Sequence, residues 1–258
     1  MINRTTRELA TIIAILTLVH CTNYFPMIGK PDIENGKTTI ENGVLIHSTE
    51  NYGMTIIGFS EGFDIIYEPT HPISLKEAAE KHPCSYIING SYFEDSRVHA
   101  GWLSIFGAQI APLKADRQLT HMAVFDPGLG YLDFPSLDLW DSSMTSATSI
   151  EFQTGPLVIH ANQIDTLSIV ASINGGSSHL RTFLAFTEED AMKYFIITRR
   201  TGPLDKMAEH LLSLPVFEGK TLSVMNLDGG SSTALYARMH PELNYNINRP
   251  LPILLGIR

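Results

Sequence analysis

The stretch Asn226-Leu227-Asp228-Gly229-Gly230-Ser231-Ser232 sets a carboxylate, two adjacent glycines and two hydroxyls next to one another. Glycines lack the Cβ that forbids left-handed backbone, so successive N–H groups here can converge on one point and cradle an anion. Asp228 would stand beside that cradle as an acid–base group, with Ser231 and Ser232 as neutral donors. The same string also reads as a plain hairpin turn, because Asp-Gly between apolar runs is a common type I′ signal. Two more groups invite a chemical reading. Arg181 stands at the mouth of an apolar run, where a guanidinium suits a phosphate or carboxylate, or else a structural pair with an acidic loop residue. His179 could donate to the same anion or shuttle a proton, or simply be solvated.

These groups need elements to position them. Leu222, Val224 and Leu227 form a strand feeding the Asp228 loop, and Thr233 to Tyr236 restart one beyond it. Tyr86-Ile87-Ile88 runs into Asn89-Gly90, which is either a hairpin turn or a strand end lining a cleft, with Tyr92 and Phe93 as its apolar wall or sugar-stacking face. Gly155-Pro156 puts a kink at the head of the apolar strand 157–159, implying close backbone packing or backbone groups exposed in a cleft. Ser172-Ile173-Asn174-Gly175-Gly176-Ser177-Ser178 nearly copies the Asp228 loop. It reads as a second rim of the same cleft or as a flexible linker of small residues. Arg181 and Thr182 then open a strand, 182–186, and 194–198 follows after an acidic turn.

The rest of the pattern is sheet with a few helices. Val44–Ser48, Met54–Phe59 and Phe63–Tyr67 read as strands, Ala100–Ile110 as a pair around Gly107, and His121–Phe125 with Gly130–Phe134 as a hairpin. Residues 138–150 form a loop with a helical turn. Ser74-Leu75-Lys76-Glu77 is a capping box opening a short helix, and Leu204, Met207, Ala208, Leu211 and Leu212 have amphipathic-helix spacing. Pro250 and Pro252 restrict the closing apolar strand to an edge or a bulge. The expected class is α+β: a mixed, largely antiparallel sheet core with short covering helices in a single catalytic domain.

Composition narrows the function. The 258 residues are 44% apolar, enough for a substantial core, and the formal net charge of −9 comes without any Lys/Arg block. Nucleic acid is therefore not an expected partner. Arg4 and Arg7 before the apolar run Leu9–Val19 read as an export signal. Leu18-Val19-His20-Cys21 resembles a lipoprotein cleavage box, with His20 departing from it, so residues 1–21 end in lipidation at Cys21, simple cleavage or an uncleaved tether. Residues 22–42 read as a linker and 43–258 as the domain. The expectation is an exported protein of the periplasm or cell envelope, touching a membrane only through that N-terminal anchor. Cys84 is left without a disulfide partner and reads as a small buried apolar residue. Asp228 could equally bind a metal, although no clustered His, Cys or carboxylate spacing supports one, and no cofactor is expected.

Taken in order, Asn89-Gly90-Ser91-Tyr92-Phe93, Thr154-Gly155-Pro156-Leu157-Val158, Arg181-Thr182 and Asn226 to Ser232 resemble the phosphodiester glycosidase family, over roughly residues 45–258. The resemblance implies a hydrolase that cleaves a sugar-1-phosphodiester at its glycosidic bond, releasing free sugar and a phosphomonoester. In that reaction Arg181, the Gly229 and Gly230 N–H groups and the Ser231 and Ser232 hydroxyls are expected to hold the departing phosphate. Asp228 would act on C1 or on water, and Asn89 would orient a sugar hydroxyl or the phosphate. Gly90, Phe93, Thr154, Gly155, His179, Thr182 and Asn226 complete the expected substrate contacts, and Glu94, Asp95 and Asp116 are candidates for a second carboxylate. The competing expectation is a noncatalytic, surface-tethered module that binds a phosphorylated glycan through the same loop and Arg181.

Overall fold

Side chains alternate across a strand, so a strand covered on both faces reads as an almost unbroken apolar run. The runs at 55–59, 182–186, 193–197 and 222–226 have this character. In the computed structural model, which describes residues 36–258, alternation sorts them into two cores. Ile57, Leu184, Phe195 and Met225 face one core, while Ile56, Phe183, Ile196 and Val224 face the other.

Those residues belong to an eight-stranded sheet in the order β1 (Lys37–Glu41), β2 (Val44–Ser48), β3 (Thr55–Phe59), β14 (Lys193–Ile197), β13 (Thr182–Thr187), β15 (Leu222–Asn226), β11 (Leu157–His160) and β12 (Gln163–Ile164). A five-stranded sheet runs β7 (Ala108–Ala111), β6 (Leu103–Ile105), β10 (Ile150–Thr154), β8 (His121–Asp126) and β9 (Tyr131–Asp133). A four-stranded sheet runs β16 (Leu235–Ala237), β5 (Tyr86–Asn89), β17 (Ile253–Ile257) and β4 (Asp64–Tyr67). Neighbouring strands in all three are antiparallel, with no parallel pair among the described residues.

All three sheets contribute to the first core, through residues such as Phe195, Phe152 and Ile88. Helices close the outer faces. α3 (Leu204–Ser213) buries Leu204, Met207, Ala208 and Leu211 against the far side of the large sheet, where α2 (Thr166–Ala171) adds Ile169. α1 (Leu75–Lys81) covers the four-stranded sheet with Leu75, Ala78 and Ala79. Its capping box forms as expected: Ser74 Oγ accepts the Glu77 N–H at 3.2 Å, and the Glu77 carboxylate accepts the Ser74 N–H at 2.8 Å. The chain is thus an α+β protein built mainly of antiparallel sheet.

Two local expectations need correction, and a third lies outside the described residues. Residues 37–41, read as the end of a linker, are strand β1 paired to β2; its side chains are almost all exposed, so it has no apolar signature. The export signal and Cys21 lie outside the described residues. The closing strand β17 is not an edge, for it is fully buried between β5 and β4. Pro250 and Pro252 stand before its first paired residue, Ile253, so their missing N–H groups interrupt no ladder bond. Cys84 is a buried free thiol packed behind the four-stranded sheet, as a small apolar residue would be.

Truncating the core should cost far more than removing the cap. Leu184→Ala is expected to lose roughly 2–5 kcal/mol and Ser74→Ala about 1 kcal/mol, as read by urea unfolding. Similar losses for both would show that the first core is not what holds the sheets together.

Candidate active site

β5 ends at Asn89, in the middle of its sheet, so Asn89-Gly90 does not turn a hairpin. Gly90 instead packs against β17, where an added Cβ would lie 2.9 Å from Ile253 Cγ1. Asn89 is 1% exposed, and both ends of its amide are engaged. Nδ2 donates to the Asp228 carbonyl at 2.7 Å and to the Gly90 carbonyl at 3.3 Å. Oδ1 accepts Thr182 Oγ1 at 2.7 Å and the Ala234 N–H at 3.1 Å. The expectation that Asn89 orients a substrate hydroxyl is therefore corrected. Its side chain binds the backbone on either side of the Asp228 loop to the head of β13.

A second knot lies beside the first. Asn226 Nδ2 donates to Tyr92 Oη, to the Gly155 carbonyl at 3.2 Å and to the Leu227 carbonyl at 2.8 Å. Tyr92 Oη donates to the Gly155 carbonyl at 2.9 Å, and Thr154 Oγ1 to the Asn226 carbonyl at 3.0 Å. Gly155 has φ +149°, and a Cβ there would lie 2.4 Å from the Gln118 carbonyl, so only glycine fits this approach. Thr154 and Thr182 are fully buried with their hydroxyls turned to protein partners. Both were expected to contact substrate, and both side chains instead tie the segments around the loop together.

Asp228 lies at the surface of these knots, half-buried, between a buried strand and the 3₁₀ turn Gly230–Ser232. The expected anion cradle does not form from the Gly229 and Gly230 N–H groups. The Gly229 N–H donates to the carboxylate of Asp228 itself at 2.9 Å, and the Gly230 N–H to the Leu180 carbonyl at 2.8 Å. The loop is a cradle for its own carboxylate. Glycine is still required at 229, because a Cβ would lie 2.6 Å from the Leu180 carbonyl. Desolvation raises the Asp228 carboxyl to about 6, against weaker lowering by Ser232, by the Gly229 N–H and by the Arg249 guanidinium. Ser232 is buried and turned to Asp228, whereas Ser231 is exposed.

Arg181 adjoins this loop: a Cβ on Gly229 would lie 3.6 Å from Arg181 Cα. Its side chain is 3% exposed, and Nη2 donates to the carbonyls of Asn174 at 2.6 Å and Ser177 at 2.9 Å. Nε is buried without a partner, and burial lowers the pKa of the guanidinium. The 172–178 segment is therefore no free linker. Arg181 ties it down, and the Gly175 carbonyl accepts the Leu204 N–H at the start of α3. His179 pairs through its backbone with Gly202, and its ring makes no hydrogen bond among the described residues.

With the four motifs gathered around Asp228, the comparison with known proteins becomes decisive. Residues 82–258 match the phosphodiester glycosidase family. The chain belongs to that family. Among solved structures it is similar to the zebrafish N-acetylglucosamine-1-phosphodiester alpha-N-acetylglucosaminidase catalytic domain, auto-inhibited by its pro-peptide: TM-score 0.61, 15% identity, covering 86% of this chain and 81% of that one. A hypothetical protein from Synechocystis (TM-score 0.54, 11% identity, 86% and 61% covered) and a putative exported protein from Burkholderia pseudomallei (0.52, 9%, 83% and 74%) share the fold. No curated protein sequence matches the chain. The family is one of hydrolases acting on phosphodiester glycosides.

In this phosphodiester glycosidase-family chain a cleft of about 350 Å³ opens beside the Tyr92 knot. Phe93 and Ile173 contribute apolar walls, and Ile173 makes the 172–178 segment a rim of this cleft. Glu94, Asp95 and Asp116 all line it, which brings the three candidate carboxylates together; Glu94 is paired with Lys114 at 3.0 Å. Sequence reasoning missed three participants. Tyr92 was read as an apolar wall or a sugar-stacking face, although it bridges the Asn226 and Gly155 segments and feels both Asp228 and Arg181. Gln153, whose carbonyl accepts Ser91 Oγ and whose amide holds Lys114 and Leu119, only adjoins the Thr154-Gly155 motif, and Arg249 near Asp228 lies in no motif.

Two outcomes follow. Asn89→Ala leaves the Thr182 hydroxyl and the Ala234 N–H unpaired in a buried setting, so it should lose about 2–4 kcal/mol in urea unfolding; a loss under 0.5 kcal/mol, on the order of a surface change, would show that the knot is not structural. Because the folded carboxyl of Asp228 is raised to about 6 from 3.8, its ionisation opposes folding. Stability from this group is complete below the unfolded value and is lost as pH climbs through about 6. Asp228→Asn should therefore match the parent at acidic pH and exceed it above pH 6, measured by thermal unfolding across the pH range.

Proposed function

We propose that the protein hydrolyses the glycosidic bond of a sugar-1-phosphodiester, releasing the free sugar and a phosphomonoester. The observation that carries this reading is the Asp228 carboxyl, half-buried, raised to about 6 and fixed by Asn89 through its own carbonyl. Such a group is a stronger base than an exposed aspartate and is ionised near neutrality.

The bond that breaks joins C1 to the phosphate oxygen. Glycoside cleavage develops positive charge on the sugar ring and negative charge on the leaving group. A phosphate oxygen is weakly basic, so it departs with little need of a proton and more need of a cation. Ionised Asp228 is assigned to C1, either attacking it directly or taking a proton from the water whose oxygen bonds to C1. The departing phosphate is assigned to guanidinium groups in place of the loop N–H groups. Arg181 Nη1 makes no hydrogen bond among the described residues, and exposed Arg249 lies near enough to act on the Asp228 carboxyl. The second carboxylate, on the opposite side of the sugar, is assigned to Glu94, Asp95 or Asp116 in the adjoining cleft. The Arg4, Arg7 and Leu9–Val19 pattern supports action outside the cytoplasm, at the cell envelope.

A panel of synthetic sugar-1-phosphodiesters, assayed for free reducing sugar, tests the reaction. The rate should rise with pH through about 6 and then level, since the ionised form of Asp228 is the active one. Asp228→Asn should lose about a hundredfold or more, and Arg249→Ala should mainly raise KM. Binding without sugar release across the panel, unchanged in Asp228→Asn, would replace this reading with that of a noncatalytic module for phosphorylated glycans.

A further inference from the structure

The cleft beside Tyr92 does not end there. A second concavity shares Glu94 and Lys114 with it, and a third, of about 540 Å³, shares Leu113 with the second. The third is built around Trp102 and Trp140, the only tryptophans in the sequence. Their rings meet edge to face, with centroids 5.0 Å apart and planes at 62°. Trp102 is 8% exposed, and its Nε1 is buried without a protein partner. Trp140 is only partly covered, and exposed Asp138, Asp141 and Ser142 stand around the pair.

We propose that this tryptophan cavity is a sugar-binding subsite, remote from Asp228, for a neutral pyranose unit of a glycan chain. A pyranose presents a face of C–H groups that packs on an aromatic ring and a rim of hydroxyls that must find partners. The half-covered indole of Trp140 supplies the ring. The Asp138 and Asp141 carboxylates accept hydroxyl donors, and the unpaired Trp102 indole N–H donates to a sugar oxygen. The acidic surround disfavours an anionic saccharide. The volume falls in the ordinary range for small-molecule sites, about 300–1,000 Å³.

The mounting is rigid and is continuous with the knot at Asp228. The backbone N–H of Trp102 donates to Gln153 Oε1 at 2.9 Å, and the Trp102 carbonyl accepts the Gln153 backbone N–H at 2.8 Å. Gln153 Nε2 reaches the Lys114 and Leu119 carbonyls at 2.6 and 2.8 Å, fixing the wall between the concavities. Gly101, at φ +103°, permits this, since a Cβ would lie 2.4 Å from Gln153 Oε1. The next residues along the chain are Thr154 and Gly155 of the knot. A glycan lying in the row of concavities would reach from the tryptophans to Tyr92, which makes the favoured substrate an oligosaccharide and not a single sugar. That last step rests on the proposed reaction, while the subsite itself is tested by binding alone.

The two tryptophans make intrinsic emission a local probe. Neutral oligomers of glucose, mannose and N-acetylglucosamine, one to six units long, are titrated into the full chain, with the matching uronic acid oligomers as the anionic comparison. The expected result is a saturable change in emission by at least one neutral series, tightening with length and weaker for the anionic oligomers. By calorimetry, Trp140→Ala should weaken that binding by about tenfold or more, roughly 1.4 kcal/mol, and Trp140→Phe, which keeps a ring, should restore most of it. Circular dichroism confirms that both variants are folded. No change with any neutral series up to about 10 mM, well above a millimolar Kd, overturns the subsite, as does equal binding by Trp140→Ala or stronger binding of the anionic oligomers. None of these readouts depends on sugar release, so a failed hydrolysis assay leaves the subsite standing and a failed titration leaves the reaction standing.

Discussion

The site depends on one buried amide. Asn89 is placed at the end of a central strand, where its side chain is out of water and every unmet hydrogen bond would be costly. Four partners meet that demand, three of them from distant segments: the carbonyls of Asp228 and the neighbouring Gly90, the Thr182 hydroxyl and the Ala234 N–H. Since Asp228 and Ala234 flank the Gly-Gly-Ser-Ser turn, holding both fixes the turn's entry and exit on the end of the four-stranded sheet. Thr182 adds the head of the eight-stranded sheet to the same group. A side chain with fewer than two donors and two acceptor sites could not do this. The sheets therefore meet at a point whose geometry is set by hydrogen bonds, with the shared apolar core behind it.

Much of the fold could be read from local pattern, and the failures have physical causes. The strands covered on both faces were legible because most of their residues are apolar, and the first turn of α1 because its reciprocal cap uses residues at fixed spacing. β1 was invisible because an exposed edge strand needs no apolar face. The proline rule misplaced β17 because it applies to residues inside a ladder, and both prolines stand before it. The turn readings of Asn89-Gly90 and Asp228-Gly229 failed for a shared reason. Sequence tells that backbone can bend, yet whether the flanking strands then pair depends on sheet order, and here β15 and β16 lie in different sheets.

At the site the residue set was legible but several roles were not. The order of motifs identified which segments meet. It could not reveal that Asn89, Thr154 and Thr182 face inward, because buried and cleft-lining polar residues look alike in a string. Gly229 and Gly230 were expected to free their N–H groups for a ligand. Close approach is the stronger demand: Gly229 passes against the Leu180 carbonyl, and the N–H groups are drawn to protein acceptors as a result. The twin motif Gly175-Gly176 shows the same logic, with Gly175 packed too tightly against the Ile169 carbonyl for any side chain.

This reassignment changes what the site must do electrostatically. With the loop amides turned inward, Asp228 is shielded from water without gaining a full ion pair, which is why its carboxyl stays raised although Gly229 and Ser232 donate to it. A phosphate arriving nearby would raise it further unless cations offset the new charge. Arg181 is pinned by two carbonyls of the 172–178 rim, so its open Nη1 has a fixed position, whereas Arg249 is exposed. A cation near the carboxyl, Arg249, and a fixed one on the neighbouring rim, Arg181, suit a reaction in which negative charge moves from the carboxylate toward the departing group. The rigid one also joins the two Gly-Gly-Ser-Ser segments. Anything that displaces the 172–178 rim must therefore move the Arg181 guanidinium with it.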